Sequence, residues 1–216
     1  MQTWNEDEIK HFLETAKDTR YYELFSLALF TGMRRSELLA LRWQDIDFTY
    51  GQVSVSRSLH VLKGSQVVFR SPKTASGRRT IALPPSSTLI LNEYREKKEA
   101  EGVLLDKPLS DNDLIFNNLG KPILPNTVTH AWLRLVKISG IKTIRLHDAR
   151  HTHASLMLKQ GIHPKIVQER LGHSSIQVTL DTYSHVAPGL QQSAANRFDD
   201  IINVKDNIEA AEIISR

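Results

Sequence analysis

The sequence predicts an α+β fold, a mainly α-helical core that carries one small three-stranded antiparallel sheet. Apolar residues recur at helical spacing through most of the chain, whereas residues 52–83 alternate with the period of two that is typical of strands. A length of 216 residues, without internal repeats or low-complexity segments, fits one core domain with a tail. We therefore predict a core at residues 1–188 and a C-terminal tail helix at residues 189–216.

Composition excludes several classes of protein. The chain has 28 lysine and arginine residues against 24 acidic ones, a formal charge of +4 that permits a nucleic-acid partner without indicating one. It has no cysteine, which excludes disulfides, thiolate metal sites and a cysteine nucleophile. No apolar run approaches the ~20 residues of a membrane span, and the start MQTWNEDEIK is too polar for a signal peptide. We expect a soluble cytoplasmic protein with no membrane partner.

The N-terminal segment predicts two helices. Asn5 and Glu8 have the spacing of an N-cap and its reciprocal carboxylate, so a helix is expected over about residues 6–17. The run YYELFSLALFTG is apolar nearly all round, which predicts a buried helix that ends at Gly32.

A third, short helix, RRSELLALRW, begins with Arg34. Arg34 and Glu37 are three residues apart and can pair on one face of this helix, while Arg35 fits a solvated position. From this segment alone, Arg34 is either half of a structural ion pair or an anion ligand.

Three period-two runs predict the sheet: VSVSRSLHV, QVVFR and RRTIALP. The turns KGS and SPKTASG separate them, and Lys73 lies in the second turn. A lysine in a turn is usually a solvated charge, but this one could also reach into an active site or a DNA groove.

Two amphipathic helices follow, SSTLILNEYREKKEAEG and NTVTHAWLRLVKISG, and Trp132, Leu133 and Val136 of the second are expected in the core. The next helix begins near His147 and runs to Gln160.

The shorter helices that complete the core, in HPKIVQERLGHSS and SIQVTLDTYSHV, leave His173 just past a helix end and carry Tyr183.

His147 and Arg150 lie three residues apart on one face, in the first turn of their helix. Unpaired backbone N–H groups and the positive end of the helix dipole favour a phosphate there. A zinc site formed with His151 and His153 is the alternative for this cluster. Residues 147 and 153 point to different faces of a helix, so no metal is predicted.

Each candidate also has a plain structural interpretation. His147 could cap its helix, His173 could close a turn, and Tyr183 could be a half-buried tyrosine with a wet hydroxyl.

The ordered set TGMRRSELLALRW, SPKTASGRRTIALP, LHDARHTHAS, KIVQERLGHSS and IQVTLDTYSHV resembles the C-terminal catalytic core of the tyrosine recombinases, the phage integrase family. The resemblance spans Thr31 to Tyr183. One departure is Ala149, where similar proteins often have leucine, and it affects packing more than chemistry. The resemblance implies that the catalytic residues are Arg34, Lys73, His147, Arg150, His173 and Tyr183.

The resemblance also implies their roles. Tyr183 would attack a DNA phosphate held by Arg34 and Arg150, whose planar guanidinium groups suit the two non-bridging oxygens. His147 would take the tyrosine proton or bond the phosphate, His173 would bond a non-bridging oxygen, and Lys73 would protonate the leaving 5′ oxygen.

The product would be a 3′-phosphotyrosyl DNA with a free 5′ hydroxyl. One ester replaces another, so rejoining requires no ATP, and cationic side chains replace a metal, so no cofactor is expected. The following residues His151, Thr152 and His153 would hold the helix in place.

By the same resemblance, the partners are double-stranded DNA carrying attachment sites and further subunits in a tetrameric synapse. The reaction would integrate or excise a mobile element in the bacterial cytoplasm. The tail helix would pack on a neighbouring subunit or, equally, on its own domain.

Full-length members carry an N-terminal DNA-clamping domain that we do not find in this sequence. We therefore expect a truncated or minimal protein that is a monomer alone and binds DNA weakly. Two alternatives stay open: a type IB topoisomerase that relaxes DNA with the same chemistry, and a DNA-binding module that does not cut.

Overall fold

The computed structural model describes residues 2–72, 74–183, 192 and 195–202. Within these residues the chain forms eight α-helices up to Tyr183, a further helical stretch at 195–202, seven short strands and three 3₁₀ turns. The helices are α1 Glu6–Ala16, α2 Tyr22–Thr31, α3 Arg35–Leu38, α4 Pro85–Leu104, α5 Pro125–Ser139, α6 Leu146–Lys159, α7 Pro164–Leu171 and α8 Ile176–Tyr183. The strands are β1 Ile46–Asp47, β2 Gln52–Val55, β3 Ser58–Val61, β4 Val67–Arg70, β5 Arg79–Ala82, β6 Asn117–Asn118 and β7 Lys121–Pro122. The 3₁₀ turns are Trp43–Asp45, Lys63–Ser65 and Ala75–Gly77.

The predicted fold class, helical with one small three-stranded antiparallel sheet, is confirmed, but the sheet is built from other strands than expected. Its order is β1-β2-β5, with Val53 opposite Ile81, while β3 and β4 form a separate hairpin. The predicted single strand VSVSRSLHV is broken between β2 and β3. Arg57 lies at this break, where its Nε donates to Ala40 O at 2.8 Å and its guanidinium stacks 4.6 Å from the ring of Phe69. These long-range contacts turn the chain out of the sheet.

Most helix boundaries follow the local signals in the sequence. α1 has the full capping box between Asn5 and Glu8. α2 ends at Gly32 and α7 at Gly172, both in the left-handed conformation that glycine adopts without a steric penalty. Among the described helices, none is both long and apolar enough to cross a membrane.

Two predicted side-chain environments are wrong. Arg35 is not solvated: it donates to Thr129 Oγ1 and Pro125 O and so joins α3 to the start of α5. Leu133 was expected in the core but is 39% exposed, on the outer face of α5.

Of the predicted tail helix at residues 189–216, only 192 and 195–202 are described, and 195–202 are helical. The rest of that prediction lies outside the described residues.

Stacked aromatic rings join α1, α2 and α5 into the main core. Trp4, Phe12, Phe25 and Trp132 are all buried, and the Phe12 and Trp132 ring centroids lie 4.4 Å apart. Such rings bury large apolar areas and so dominate core energetics. This aromatic cluster forms the centre of the core between α1, α2 and α5.

Hydrogen bonds from the same aromatic residues position α6. The backbone N–H of Trp4 donates to Thr152 Oγ1 at 3.2 Å, and Trp132 Nε1 donates to Ile144 O at 2.8 Å, just before the helix begins. The N-terminal half of α6 is therefore held at a fixed place beside the core, with Thr152 in the supporting role expected of it.

Candidate active site

Arg150 joins α6 to the end of α2. Its side chain is buried, and Nη1 donates to Gly32 O at 2.9 Å. A Cβ placed on Gly32 would lie 2.7 Å from Leu171 Cδ2 and 2.9 Å from His153 Cδ2, so α2, α6 and α7 meet closely at this glycine. Arg150 is thus anchored to Gly32, which lies two residues before Arg34 in the chain.

Arg34 lies at the N-cap of α3 and is only partly covered. Its Nη1 pairs with Glu37 Oε1 at 2.8 Å, its backbone N–H donates to Glu37 Oε2 at 2.9 Å, and Nη2 approaches Gly172 O at 3.4 Å. The predicted pair of Arg34 and Glu37 is therefore present. The Arg34 side chain remains 39% exposed, so it can still meet a ligand from solvent.

His173 follows directly after Gly172 in the turn between α7 and α8. Gln168 fixes its backbone through two hydrogen bonds, Nε2 to His173 O at 2.8 Å and His173 N to Gln168 O at 3.1 Å. His173 Nδ1 lies 2.9 Å from the hydroxyl of Thr179, which is fully buried in α8. When Thr179 donates this bond, the proton of the neutral ring is on Nε2, which then becomes a donor for an anion.

Burial, and after it the positive charges of the site, favour the neutral form of its histidines. Burial, followed by the positive charges of Arg150 and Arg34, lowers the pKa of His173 to about 4. Burial and then Arg150 also lower the pKa of His147 below its ordinary value. The charges of Arg150 and Arg34 contribute to both shifts, so the two arginines act on both histidines. A phosphate placed here would meet concentrated positive charge at neutral pH.

His147 and His151 lie one turn apart on α6, with their ring centroids 5.0 Å apart and edge to face. His153 is turned away from this pair. Its Nδ1 bonds to Leu29 O at 3.0 Å and its Nε2 accepts from Arg170 Nε at 3.0 Å, so both ring nitrogens serve to hold α2, α6 and α7 together. This is the supporting role expected for His153.

Two of the predicted catalytic residues have no described side chain. Lys73 lies outside the described residues, but residues 74–77 of its turn are described. Ser76 O would lie 2.8 Å from a Cβ placed on Gly172. Tyr183 is the last residue of α8, and its side chain lies outside the described part of the chain. Hydrogen bonds thus place Arg34, Arg150 and His173 around the Gly32 and Gly172 turns, and His147 lies three residues before Arg150 on α6.

The sequence profile described as "Phage integrase family" matches residues 2–189. The chain belongs to the phage integrase family. Relatives of similar sequence include the "Tyrosine recombinase XerC-like" protein of Caldanaerobacter subterraneus subsp. tengcongensis, 30% identical over 213 residues, which cover 93% of this chain and 54% of the relative. The "ICEBs1 integrase" of Bacillus subtilis strain 168 is 31% identical over 204 residues, covering 94% of this chain and 55% of that protein.

Solved structures of similar fold include a Tn1549 transposon integrase in complex with transposon right end DNA, with a TM-score of 0.76 and 26% identity over 91% of this chain and 65% of that one. XerA recombinase has a TM-score of 0.69 and 26% identity over 92% of this chain and 64% of that one. The chain spans about half the length of the curated relatives it matches.

Sequence reasoning missed Arg79, although its segment carries the family resemblance. The side chain of this arginine is 6% exposed, forms a two-pronged pair with Glu37, and donates Nε to Arg170 O at 2.7 Å. Alternate residues of a strand share a face, so Arg79 lies on the side of β5 that carries the buried Ile81. An arginine on the inner face of a strand is the signal that could have revealed it. Thr179 carried no comparable signal in the sequence, because its contact with His173 depends on the turn between α7 and α8.

Proposed function

We propose that the chain is the catalytic domain of a site-specific DNA recombinase, which cuts and rejoins DNA strands through Tyr183. The observation that carries the proposal is the convergence of Arg34, Arg150, His147 and His173 where α2, α3, α6 and α7 meet. Two rigid guanidinium groups and two neutral imidazoles suit a phosphodiester whose negative charge grows in the transition state.

The position of α8 supports Tyr183 as the nucleophile. Thr179 and Tyr183 are four residues apart on this helix, so they lie on the same face. Thr179 contacts His173, so α8, the helix that ends with Tyr183, packs against the turn that carries this histidine. A free tyrosine is a poor nucleophile at neutral pH, because its pKa is near 10, so the reaction depends on stabilisation of the phosphate.

The step is a transesterification with balanced bonds. Tyr183 Oη forms a bond to phosphorus, the bond from phosphorus to O5′ breaks, and O5′ leaves with the electron pair. Neutral His147, with its lowered pKa, can accept the tyrosine proton. Lys73 supplies a proton to O5′, which yields a 3′-phosphotyrosyl DNA and a free 5′ hydroxyl. The reverse of these steps rejoins the strand.

The approach of the Lys73 turn to the His173 turn supports the role of Lys73. Ser76 O lies against Gly172, and Ser76 is three residues from Lys73. The described part of this turn, residues 74–77, therefore packs against the turn that carries His173.

The proposed partners are double-stranded DNA that carries attachment sites and three further copies of this protein, which would form a tetrameric synapse. The proposed place of the reaction is the bacterial cytoplasm. Similar proteins include transposon integrases and recombinases solved as DNA complexes. We also propose that the tail, 189–216, packs on a neighbouring subunit. Its described part leaves Phe198, Ile201 and Ile202 at 67%, 62% and 48% exposure, an apolar stripe suited to another protein surface.

Covalent trapping on a random library of duplexes tests the proposal. The protein is mixed with the library in EDTA without ATP and quenched with detergent, and the DNA attached to protein is sequenced. Adducts enriched in one sequence motif are expected. Adducts without any sequence preference would instead indicate relaxation of the topoisomerase type, and duplex binding without adducts on any DNA would indicate a module that does not cut.

A further inference from the structure

We propose that Arg79 is a positioning residue of strand cleavage, which takes up the charge of Glu37 so that Arg34 keeps its own positive charge for the phosphate. The inference rests on the proposed function, because it assigns a role within that same site. It concerns a residue that does not touch the DNA and acts through its neighbours.

Glu37 is the shared partner of two arginines. Its carboxylate is buried, at 6% side-chain exposure. Arg34 Nη1 bonds Oε1 at 2.8 Å, while Arg79 Nη2 bonds Oε2 at 2.9 Å and Arg79 Nη1 bonds Oε1 at 3.2 Å. Burial alone would raise the pKa of Glu37, but the bonds and charges of Arg79 and Arg34 outweigh it and hold that pKa below its ordinary value. Glu37 is therefore ionised at neutral pH.

The charge count of this group explains what Arg79 adds. Arg34 and Glu37 alone would form a neutral pair, which has little attraction for a phosphate. With Arg79 the group has two guanidinium ions and one carboxylate, and so carries one net positive charge. The exposed member is Arg34, so the surplus charge is available on the side that faces solvent.

Arg79 itself is poorly placed to bind DNA. Its side chain is 6% exposed, Nε donates to Arg170 O at 2.7 Å, and both terminal nitrogens point to Glu37. Nη1 also donates to Gly77 O at 3.4 Å, so each nitrogen of the planar fork has a partner within the protein. Its influence on a phosphate must pass through Glu37 and Arg34.

Arg79 also touches the turn that carries His173. A Cβ on Gly172 would lie 2.9 Å from Arg79 Nη1 and 3.1 Å from its Cδ. The positive charge of Arg79 is one of those that lower the pKa of His173, after burial, Arg150, Arg34 and His151. One buried guanidinium group thus acts on Arg34 through Glu37 and also adds to the positive charge near His173.

A matched control exists in the chain. Arg42 and Asp45 repeat the spacing of Arg34 and Glu37: Arg42 N donates to Asp45 Oδ2 at 2.9 Å and Arg42 Nη2 pairs with Oδ1 at 3.2 Å. Arg42→Met therefore removes an arginine from a similar capping pair outside the group formed by Arg34, Glu37 and Arg79. It should leave phosphate binding unchanged.

The first measurement is a titration with inorganic phosphate at pH 7 and low salt. Binding is detected through the NMR signals of the histidine rings. Arg79→Met should weaken binding about tenfold, since Arg34 is then neutralised by Glu37. Arg79→Lys keeps the charge and should restore most of the affinity. The double variant Glu37→Gln/Arg79→Met again has one net positive charge and should bind as the wild type does. It also lacks an unpaired buried carboxylate, so it is the informative variant if Arg79→Met does not fold.

The result that would overturn the inference is unchanged phosphate affinity in Arg79→Met, or a loss that neither Arg79→Lys nor the double variant restores. The second of these would assign Arg79 a purely structural role. This readout needs no strand cleavage, so it decides about Arg79 even if the wild type forms no adduct and the proposed function fails.

Cleavage supplies the second measurement. A duplex with a methylphosphonate at the cleaved position has a neutral phosphorus centre, so the charge kept on Arg34 matters less. The defect of Arg79→Met in adduct formation should be at least fivefold smaller on this duplex than on the ordinary phosphodiester. Equal defects on both substrates would contradict a role through the charge of Arg34.

Discussion

Gly172→Ala should both destabilise the protein and slow its reaction. Gly172 has φ +68°, a conformation that costs a residue with a Cβ about 1–2 kcal/mol. The new Cβ would also lie 2.8 Å from Ser76 O and 2.9 Å from Arg79 Nη1, and such overpacking typically adds about 1–3 kcal/mol. The sum of about 2–5 kcal/mol corresponds to a fall in Tm of roughly 4–20 °C for a chain of this size.

Gly140→Ala separates the two contributions. Gly140 also follows a helix with φ +67°, but nothing lies within 4 Å of the Cβ that a substitution would add. It should therefore show only the backbone cost, a fall in Tm of roughly 2–8 °C. Thermal unfolding by circular dichroism measures both variants.

The rate of adduct formation then tests the functional half of the prediction. Gly172→Ala should react at least tenfold more slowly than Gly140→Ala at a temperature where both are folded, because the His173 turn and the Lys73 turn are pushed apart. Equal falls in Tm would refute the close packing of these two turns. Full activity in Gly172→Ala would refute its importance for the reaction.

Three further predictions concern single residues. Lys73→Ala should slow cleavage more than it weakens binding, and a substrate with a 5′-thiolate leaving group should restore the rate; equal slowing on both substrates would argue against Lys73 as the acid. Arg150→Lys should cost about a hundredfold in the rate of adduct formation, because the two-pronged contact is lost while the charge stays, and an unchanged rate would contradict that contact. Stability should fall as pH drops from about 6.5 towards 4, since the pKa of His173 is lowered to about 4 and only the unfolded chain takes up this proton. His173→Asn should flatten that part of the plot of Tm against pH, and an unaltered slope would contradict the lowered pKa.

The sequence predicts helices well here because their signals are local. Asn5 and Glu8 are three residues apart, and a glycine ends a helix through its own φ, as at Gly32 and Gly172. Strand pairing depends instead on distant partners. The alternation through residues 52–61 is continuous in the sequence, yet the contacts of Arg57 with Ala40 and Phe69 divide it between two sheets.

The same distinction applies to the site. Arg34, His147, Arg150 and His173 could be named from spacing and from the family resemblance, since each lies in a recognisable segment. The partners that hold them could not, because they arrive from elsewhere in the chain. Arg79 is 42 residues from Glu37, and the side chain of Thr179 reaches His173 only through the turn between α7 and α8. Arg35 was wrongly predicted to be solvated, because nothing in its own segment indicates that it binds α5.

The most direct test of the account is identification of the bond between protein and DNA. The wild type is incubated in EDTA with a duplex nicked just beyond its preferred cleavage position, so that rejoining is prevented, and the adduct is digested and analysed by mass spectrometry. The account predicts a 3′-phosphate on the peptide that contains Tyr183, a free 5′ hydroxyl on the released strand, and no adduct in Tyr183→Phe although that variant still binds the duplex. An adduct that survives Tyr183→Phe, or one joined through a 5′ phosphate, would contradict it.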